Sequence, residues 1–490
     1  MKKLLSLLLA LSMVLAMCAS AVAETAAKAP KYVFMFIGDG QGSPQITAAQ
    51  YFAGTFQNPD ATMPTPAQLS FTGFTNVGLI TTYDATSFCP DSASTATSMA
   101  SGEKTASGVV NYNMDKTEPF KLITEYAKEG GKKVGVITSV SLDHATPAAY
   151  YAKAPSRSLY YDIAVQGLTG STLDFLGGGA FLQPTGKDKD KQDLMEIAAQ
   201  SGWTVVRKAD DIRAISKDTG RVLAMVEDTD SAQSMQYEID RLNKVAKGED
   251  SLALSEMVKA GIANLDNDNG FFLMTEGGKI DWTCHANDAI TSIYDTIAFS
   301  DAVQVAIDFA EEHPQETLII VTGDHETGGM TIGFAATAYE THFAYLQSAK
   351  ASYQEFDKAI ADMRTNKATF EDALKTIEEC YGLTTTAEKP LTLTFADLAA
   401  LRAAFDLSMI EKDARQLGDD EALAYGGYEP LSITVTHIFN NKAGIAYTSY
   451  SHTGLQIPVY AQGVNAGLFG GQYDNTQIFY KTMEAMGLKK

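Results

Sequence analysis

A run of small polar residues at 89–102 could supply a nucleophile. Pro90 precedes Asp91 and Ser92, and the small residues that follow have a spacing compatible with a helix. Asp91 or Ser92 is predicted to begin that helix, because a short side-chain oxygen accepts the free N–H groups of a first turn. A helix N-terminus also favours an anion, so Ser92 is expected beside a phosphate oxygen. Taken alone, the run is more typical of an ordinary helix cap.

Two carboxylate–imidazole pairs could bind a metal ion. Asp281 and His285 are four residues apart, so on a helix they share one face. Asp324 and His325 are adjacent, in a glycine-rich loop that follows a predicted buried strand. A carboxylate combined with an imidazole suits a borderline divalent metal such as zinc. By itself, the first pair is more often a surface ion pair or a core histidine with its partner, and the second is more often a turn with an aspartate cap.

Considered together, these pairs belong to a larger set of metal ligands. The six carboxylates and imidazoles predicted at strand ends or just beyond them are Asp39, Asp281, Asp324, His285, His325 and His452. Six ligands are enough for two three-residue sites, and two metal ions can stabilise both the entering and the leaving oxygen of a phosphoryl transfer. Ser92 would then be the nucleophile, and Arg157 could bind two phosphate oxygens.

The sequence pattern predicts alternating strands and helices, which must position these residues. Strands are predicted at 31–37, 76–82, 133–138, 221–226, 271–274, 317–321, 444–449 and 458–462, with helices between them at 119–129, 252–265 and 289–312. This alternation predicts an α/β fold, a three-layer sandwich whose large, mostly parallel central sheet is covered by helices on both faces. Sites in such folds gather at the carboxyl ends of the strands.

The segment 338–427 differs, because it has few strand signals and several amphipathic helical patterns. The clearest patterns are at 352–364, 370–380 and 395–407, and Thr394 with Asp397 resembles a capping box. We interpret the segment as a helical insertion or cap. The sheet pattern is predicted to resume near Leu431.

Charge and targeting signals limit the classes of function. The net charge of −22 makes nucleic-acid binding unexpected, and an anionic substrate would need local cations. Residues 1–23 have the pattern of a signal peptide: Lys2 and Lys3, an apolar run, and an A-x-A cleavage site ending at Ala23. The apolar run is too short for a confident membrane span, so no transmembrane segment is expected after cleavage. Export to an extracellular, periplasmic or cell-surface location is therefore predicted.

An ordered series of motifs then resembles the alkaline phosphatase family. The motifs are I-G-D-G at 37–40, P-D-S-A-S at 90–94, H-A-T-P-A-A at 144–149, Arg157, E-G-G-K-I-D-W-T-C-H at 276–285, G-D-H-E-T-G-G at 323–329 and H-T-G at 452–454. They occur in the order typical of the family, and they extend over most of a predicted catalytic domain at 24–490. The resemblance implies hydrolysis of small phosphate monoesters, and a homodimer is one option that it raises.

The resemblance also implies a role for each site residue. Ser92 would form a phosphoserine intermediate, and Arg157 would hold the phosphate with help from Asp91. Two zinc ions and one magnesium ion are implied: one zinc bound by Asp281, His285 and His452, the other by Asp39, Ser92, Asp324 and His325, and the magnesium by Asp39, Thr146 and Glu276. Oxygen ligands of this kind are those that magnesium prefers.

Two positions depart from the best-known bacterial pattern of that family. His144 stands where that pattern has an aspartate, and Trp282 stands where it has a lysine. Both would be neighbours of the third metal, so the identity of that ion is left open. Two other functions also stay open at this point: a related phosphodiesterase or sulfatase, and an extracellular metal- or phosphate-binding protein without catalysis.

Overall fold

The computed structural model describes residues 29–57, 63–170, 172–416 and 418–490. The predicted signal peptide at 1–23 lies outside these residues. The strands, in chain order, are Tyr32–Gly38 (β1), Asn76–Thr81 (β2), Lys133–Thr138 (β3), Phe175–Gly178 (β4), Thr204–Val206 (β5), Val222–Met225 (β6), Phe271–Gly277 (β7), Thr317–Gly323 (β8), Glu326–Thr327 (β9), Thr331–Ile332 (β10), Ile445–Ala446 (β11), His452–Thr453 (β12), Ile457–Gly463 (β13) and Gly471–Asp474 (β14).

The α-helices lie between and after these strands. In chain order they are Ser43–Gln57 (α1), Ser92–Ser101 (α2), Ile123–Glu129 (α3), Ala145–Ala148 (α4), Tyr160–Thr169 (α5), Leu194–Gln200 (α6), Ala209–Arg213 (α7), Glu238–Ala246 (α8), Leu254–Leu265 (α9), Lys279–His285 (α10), Ala289–Glu312 (α11), Tyr353–Asn366 (α12), Phe370–Tyr381 (α13), Phe395–Ser408 (α14), Asp419–Tyr425 (α15), Pro430–Ala443 (α16) and Thr476–Ala485 (α17).

Ten strands form one central sheet in the order β14-β2-β13-β8-β1-β7-β3-β4-β6-β5. Strand β13 is antiparallel to its neighbours β2 and β8, and the other pairings described in this sheet are parallel. The predicted α/β fold with a large, mostly parallel sheet is therefore confirmed.

The two faces of the sheet are covered by separate hydrophobic cores. Along β1, Phe34 and Phe36 belong to one core, whereas Met35 and Ile37 belong to the other, as the alternation of side chains in a strand requires. Helices α9 and α11 contribute to the first core, and α2 and α17 contribute to the second. Because helices cover both faces, β1 is buried throughout, which explains why its sequence is a continuous apolar run.

Some of the predicted boundaries are wrong. The helix α16 occupies the region near Leu431 where the sheet pattern was expected to resume. The strand predicted at 444–449 is reduced to the two residues of β11, which pair with β10 in a small separate sheet. The short strands β4 and β5 were not predicted, because four and three residues are too few to show a clear period.

The segment 338–427 contains the helices α12 to α15. Thr394 caps α14 with its side chain, and Asp397 completes the capping box that the sequence predicted. Phe356, Ile377 and Leu401 from three of these helices are buried in the same core as Phe34. The segment therefore packs on one face of the sheet, and its assignment as an insertion or cap stays an interpretation.

Within the described residues, no helix combines the length and the apolar character needed to cross a membrane.

Candidate active site

The nucleophile candidate lies at the first turn of α2. Asp91 is the N-cap residue, and its carboxylate accepts a hydrogen bond of 3.1 Å from the backbone N–H of Ser94. Ser92 is consequently the first residue of the helix, and its side chain is buried. Its Oγ lies 3.3 Å from Nε2 of His325, a residue 233 positions later in the chain.

Asp39, Asp324 and His325 form the first group of candidate metal ligands, at the ends of two neighbouring strands. Gly38 at the end of β1 is in register with Gly323 at the end of β8, so Asp39 and Asp324 leave the sheet at the same level. Nε2 of His325 lies 3.4 Å from Oδ1 of Asp39 and 3.3 Å from Oδ2 of Asp324.

Asp281, His285 and His452 form the second group of candidate metal ligands, and His325 borders it, because ligand atoms of Asp281, His325 and His452 lie within 4.8 Å of one another. Nε2 of His285 lies 3.3 Å from Oδ2 of Asp281 on the same face of α10, as the four-residue spacing predicted. Nε2 of His452 lies 3.5 Å from Oδ1 of Asp281. His452 reaches this edge because the strand that follows it, β13, is antiparallel and therefore begins where its neighbour β8 ends.

The ring orientations of these two histidines are fixed by backbone carbonyl groups. Nδ1 of His285 lies 2.6 Å from the carbonyl oxygen of Tyr450, and Nδ1 of His452 lies 2.5 Å from that of Pro90. A carbonyl oxygen can only accept, so both Nδ1 atoms carry the proton that is donated. This pattern leaves each Nε2 available as a metal ligand, since hydrogen bonds of this kind orient histidine ligands in metal sites.

A third group surrounds the other side of Asp39. The hydroxyl of Thr146 donates to Oδ2 of Asp39 at 3.2 Å. Ligand atoms of Asp39, His144 and Glu276 lie within 4.8 Å of one another. The ring of Trp282 packs edge-on against His144, with centroids 5.6 Å apart. His144 thus joins the predicted set of Asp39, Thr146 and Glu276 as a further potential ligand.

Without cations, the carboxylates of the site oppose one another's ionisation. Burial and the charges of Asp324, Asp281 and Glu276 raise the pKa of Asp39 well above its ordinary value. Burial, together with the charge of Asp324, raises the pKa of Glu276 to about 8, and burial with the charge of Asp281 raises that of Asp324 to about 6. Divalent cations would relieve this repulsion.

Asp91 and Arg157 lie at the more open end of the site. Nη1 of Arg157 donates to Oδ2 of Asp91 at 2.9 Å, and about a quarter of the Arg157 side chain is exposed. Burial opposes ionisation of Asp91, but the charge of Arg157 and hydrogen bonds from backbone N–H groups outweigh it and lower its pKa. Nη2 of Arg157 lies 3.4 Å from Nε2 of His144. Arg157 is therefore held in place from two sides.

Sequence reasoning assigned no role to several residues that organise the site. The hydroxyl of Thr327 contacts both Asp281 and Nδ1 of His325, and so links the first two groups. Thr327 belongs to the G-D-H-E-T-G-G motif. Its closeness in sequence to Asp324 and His325 could have indicated a role in the site. The carbonyl oxygens of Pro90 and Tyr450 carried no such signal, because every residue has one.

The sequence model of the family described as alkaline phosphatase matches residues 30–488. The chain belongs to the alkaline phosphatase family. Alkaline phosphatase 3 of Bacillus subtilis is 30% identical in an alignment of 466 residues that covers 93% of this chain and 89% of that protein. The cold-active alkaline phosphatase of a psychrophilic Shewanella sp. superposes with a TM-score of 0.74 at 26% identity, over 93% of this chain and 99% of that one.

A third relative bears on the metal groups. A histidine-to-aspartate mutant of TAB5 alkaline phosphatase, with Mg bound in its M3 site, superposes with a TM-score of 0.62 at 26% identity, over 95% of this chain and 100% of that one. These comparisons establish that the protein is a phosphomonoesterase of a metal-dependent family.

The residues present fit divalent cations. Among the described residues, Oδ1 of Asp39, Oε1 of Glu276 and Nδ1 of His144 are buried and have no hydrogen-bond partner. These atoms come from three residues of the third group, and the fourth residue, Thr146, donates its hydroxyl proton to Asp39. Buried polar atoms are rarely left in this state unless an ion or water completes their environment. The ligand types suit the cations as well, because two groups combine carboxylates with imidazoles and the third is richer in carboxylate and hydroxyl oxygens.

Proposed function

We propose that this phosphatase hydrolyses phosphate monoesters through a phosphoserine intermediate on Ser92. The observation that supports it best is the position of the Ser92 hydroxyl, 3.3 Å from Nε2 of His325 and next in sequence to Asp91, the partner of Arg157. The proposed nucleophile, a group of candidate metal ligands and the guanidinium proposed to bind phosphate therefore lie side by side.

The cations would be held as the three groups suggest. One zinc would be bound by Asp281, His285 and His452, a second by Asp39, Asp324, His325 and Ser92, and magnesium by Asp39, Thr146 and Glu276, with His144 and Trp282 beside it. When bound, such ions act as Lewis acids that offset negative charge on the transferring phosphoryl group and on the serine oxygen.

The chain's own residues account for binding and for covalent catalysis. Arg157 donates two N–H groups to phosphate oxygens, as its planar fork allows, while Asp91 keeps the guanidinium in position. Ser92 Oγ loses its proton to solvent and forms a bond to phosphorus, the ester P–O bond breaks, and the leaving alkoxide takes a proton from solvent. Water then attacks phosphorus, the P–Oγ bond breaks, Ser92 regains a proton, and inorganic phosphate is released.

The test compares Ser92→Ala with Ser98→Ala, a matched variant of another buried serine in α2. With 4-nitrophenyl phosphate as substrate, the wild-type enzyme and Ser98→Ala are expected to show a burst of nitrophenol and to label a serine with phosphate, and Ser92→Ala neither. Full turnover by Ser92→Ala would refute the serine mechanism.

The same preparation tests the two alternative functions. Faster hydrolysis of bis(4-nitrophenyl) phosphate or of 4-nitrophenyl sulfate than of the monoester would favour a phosphodiesterase or sulfatase. Tight binding of inorganic phosphate without turnover of any of these esters would favour a binding protein. Metal analysis before and after chelation, alongside activity, tests the proposed set of two zinc ions and one magnesium ion.

We further propose that the protein is exported, on the strength of the signal-peptide pattern at 1–23. Amino-terminal sequencing of the protein from culture medium and periplasm should find a start after Ala23. The homodimer stays a prediction, and light scattering of the purified protein would test it.

A further inference from the structure

The carboxylate of Asp91 is held at both of its oxygens. Oδ2 accepts the hydrogen bond from Nη1 of Arg157. Oδ1 lies 3.1 Å from the backbone N of Ser94 and 2.8 Å from Oγ of the same residue. The orientation of the carboxylate that faces Arg157 therefore depends on Ser94, whose side chain is fully buried.

The Ser94 hydroxyl lies between two carboxylates. Its Oγ is 2.9 Å from Oδ2 of Asp84 as well as 2.8 Å from Oδ1 of Asp91. The backbone carbonyl oxygen of Asp91 is a further acceptor, 2.9 Å from Ser94 Oγ. A serine hydroxyl has one proton, so it donates to at most one of the two carboxylates at a time.

Asp84 has several other donors. Its Oδ1 accepts from the backbone N of Thr86 at 2.6 Å, from the backbone N of Ser87 at 2.7 Å and from the Thr86 hydroxyl at 2.8 Å. Its Oδ2 accepts from the hydroxyl of Ser107. Asp84 thus stays satisfied when the Ser94 proton turns away from it.

Phosphate binding changes the balance between the two acceptors. On the proposed function, on which this inference rests, a phosphate on Arg157 adds negative charge beside Asp91 and shares the guanidinium that had compensated it. A Ser94 proton donated to Asp91 offsets that charge. We propose that Ser94 is a positioning residue for phosphate, whose hydroxyl holds the Asp91–Arg157 pair in its binding geometry while Asp84 serves as the alternative acceptor.

The test measures phosphate affinity separately from turnover. Ser94→Ala is expected to raise both KM for 4-nitrophenyl phosphate and Ki for inorganic phosphate by about 3- to 10-fold, the range for loss of one hydrogen bond, and to change kcat by less than about two-fold. Ser98→Ala is the matched control, because its Oγ donates to the carbonyl oxygen of Ser94 in the same buried helix. Ser98→Ala should leave both constants unchanged.

A second variant tests which carboxylate, Asp84 or Asp91, accepts the hydroxyl proton of Ser94. Asp84→Asn places an amide N–H where Oδ2 was, so it can donate to Ser94 Oγ and leave the serine proton for Asp91. Its Ki for phosphate should equal that of the wild type or be lower. A rise in Ki as large as that of Ser94→Ala would overturn the assignment of Asp84 as a mere alternative acceptor.

An Arg157→Ala arm separates this inference from the proposed function. If Arg157→Ala leaves Ki unchanged, the phosphate site itself is wrong, and the role of Ser94 is refuted with it. If Arg157→Ala weakens phosphate binding but Ser94→Ala behaves like Ser98→Ala, the proposed function stands and the role of Ser94 is refuted.

Discussion

Nε2 of His285 and Nε2 of His452 lie 3.1 Å apart, although 167 residues separate them in the chain. Both rings donate their Nδ1 protons to backbone carbonyl groups, so two nitrogen lone pairs converge beside the carboxylate of Asp281. Two lone pairs at this distance need a positive centre between them. Burial opposes a proton on His285, but the charge of Asp281 outweighs it and raises the pKa to about 9. A zinc ion would take the place of that proton.

Replacing His452 by alanine should therefore remove zinc from this group. Zinc affinity should fall by more than about 100-fold. Removing a residue that only supports a ligand typically lowers metal affinity by roughly 10–100-fold, and His452 is proposed as a direct ligand. Zinc content after dialysis against a weak chelator measures it. His342→Ala is the control, since that imidazole lies at the surface, paired with Glu340. Equal zinc in both variants would contradict the ligand role of His452.

The metal-free protein should lose stability as pH rises from about 6.5 to 8. Glu276 has a pKa of about 8 in the folded state against an ordinary value of 4.5. In this window the folded state holds a proton that the unfolded state has released, so the free energy of unfolding falls with pH, by at most about 1.4 kcal/mol per pH unit for one group.

Urea unfolding of the chelated protein at several pH values measures that slope. Glu276→Gln removes this group and should reduce the slope, leaving the part that arises from His285, whose raised pKa of about 9 acts in the same direction. A substitution of the exposed Glu371 by glutamine should leave the slope unchanged. The metal-loaded wild type should also show a flatter curve, because cations replace the proton. Identical slopes for Glu276→Gln and the wild type, both chelated, would show that Glu276 does not titrate in this way.

Replacing Arg157 by alanine should lower kcat/KM by at least about 100-fold, because two hydrogen bonds to phosphate are lost. The side chain makes charge-assisted hydrogen bonds, which typically contribute ~1.5–3 kcal/mol each, and its loss also leaves Asp91 without a counter-charge. Steady-state kinetics with 4-nitrophenyl phosphate measure the effect. Arg402→Ala is the matched control, because Arg402 forms an exposed ion pair with Asp406 one helical turn away. A similar change in both variants would argue against phosphate binding by Arg157.

Lys279, the first residue of α10, forms a buried ion pair with Asp230. The same helix carries Asp281 and His285. Nζ of Lys279 contacts the carboxylate of Asp230, lies 2.8 Å from the carbonyl oxygen of Met235 and sits 3.4 Å from the centre of the Tyr237 ring. Lys279→Met should cost ~3–5 kcal/mol of stability, because it leaves the buried charge of Asp230 unpaired.

A double variant distinguishes the effect of an unpaired buried charge from the effect of altered side-chain packing. Lys279→Met with Asp230→Asn removes both charges, keeps an oxygen for the backbone N–H groups of Ala232 and Ser234, and should recover much of the stability lost by Lys279→Met alone. Lys358→Met, at an exposed pair with Glu355, should change the free energy of unfolding by less than about 1 kcal/mol. If the double variant were no more stable than Lys279→Met, the unpaired charge would not be the cause.

The sequence by itself determined the chemical groups and the elements that carry them. Buried parallel strands are long apolar runs, so β1, β3, β7 and β8 were predictable, and with them the strand ends where Asp39 and Asp324 lie. The period of the helix placed Asp281 and His285 on one face. The region near Leu431 was misjudged, because a buried helix rich in β-branched residues has the same composition as a strand.

Only the tertiary structure decided how these groups combine. His452 lies beside Asp281 because β13 is antiparallel to β8. His144 contacts Arg157 and also packs against Trp282, which is far from it in the sequence. The ring orientations of His285 and His452 depend on the carbonyl oxygens of Tyr450 and Pro90. A carbonyl group is common to all residues, so its place in space, and not its residue type, gives it this role.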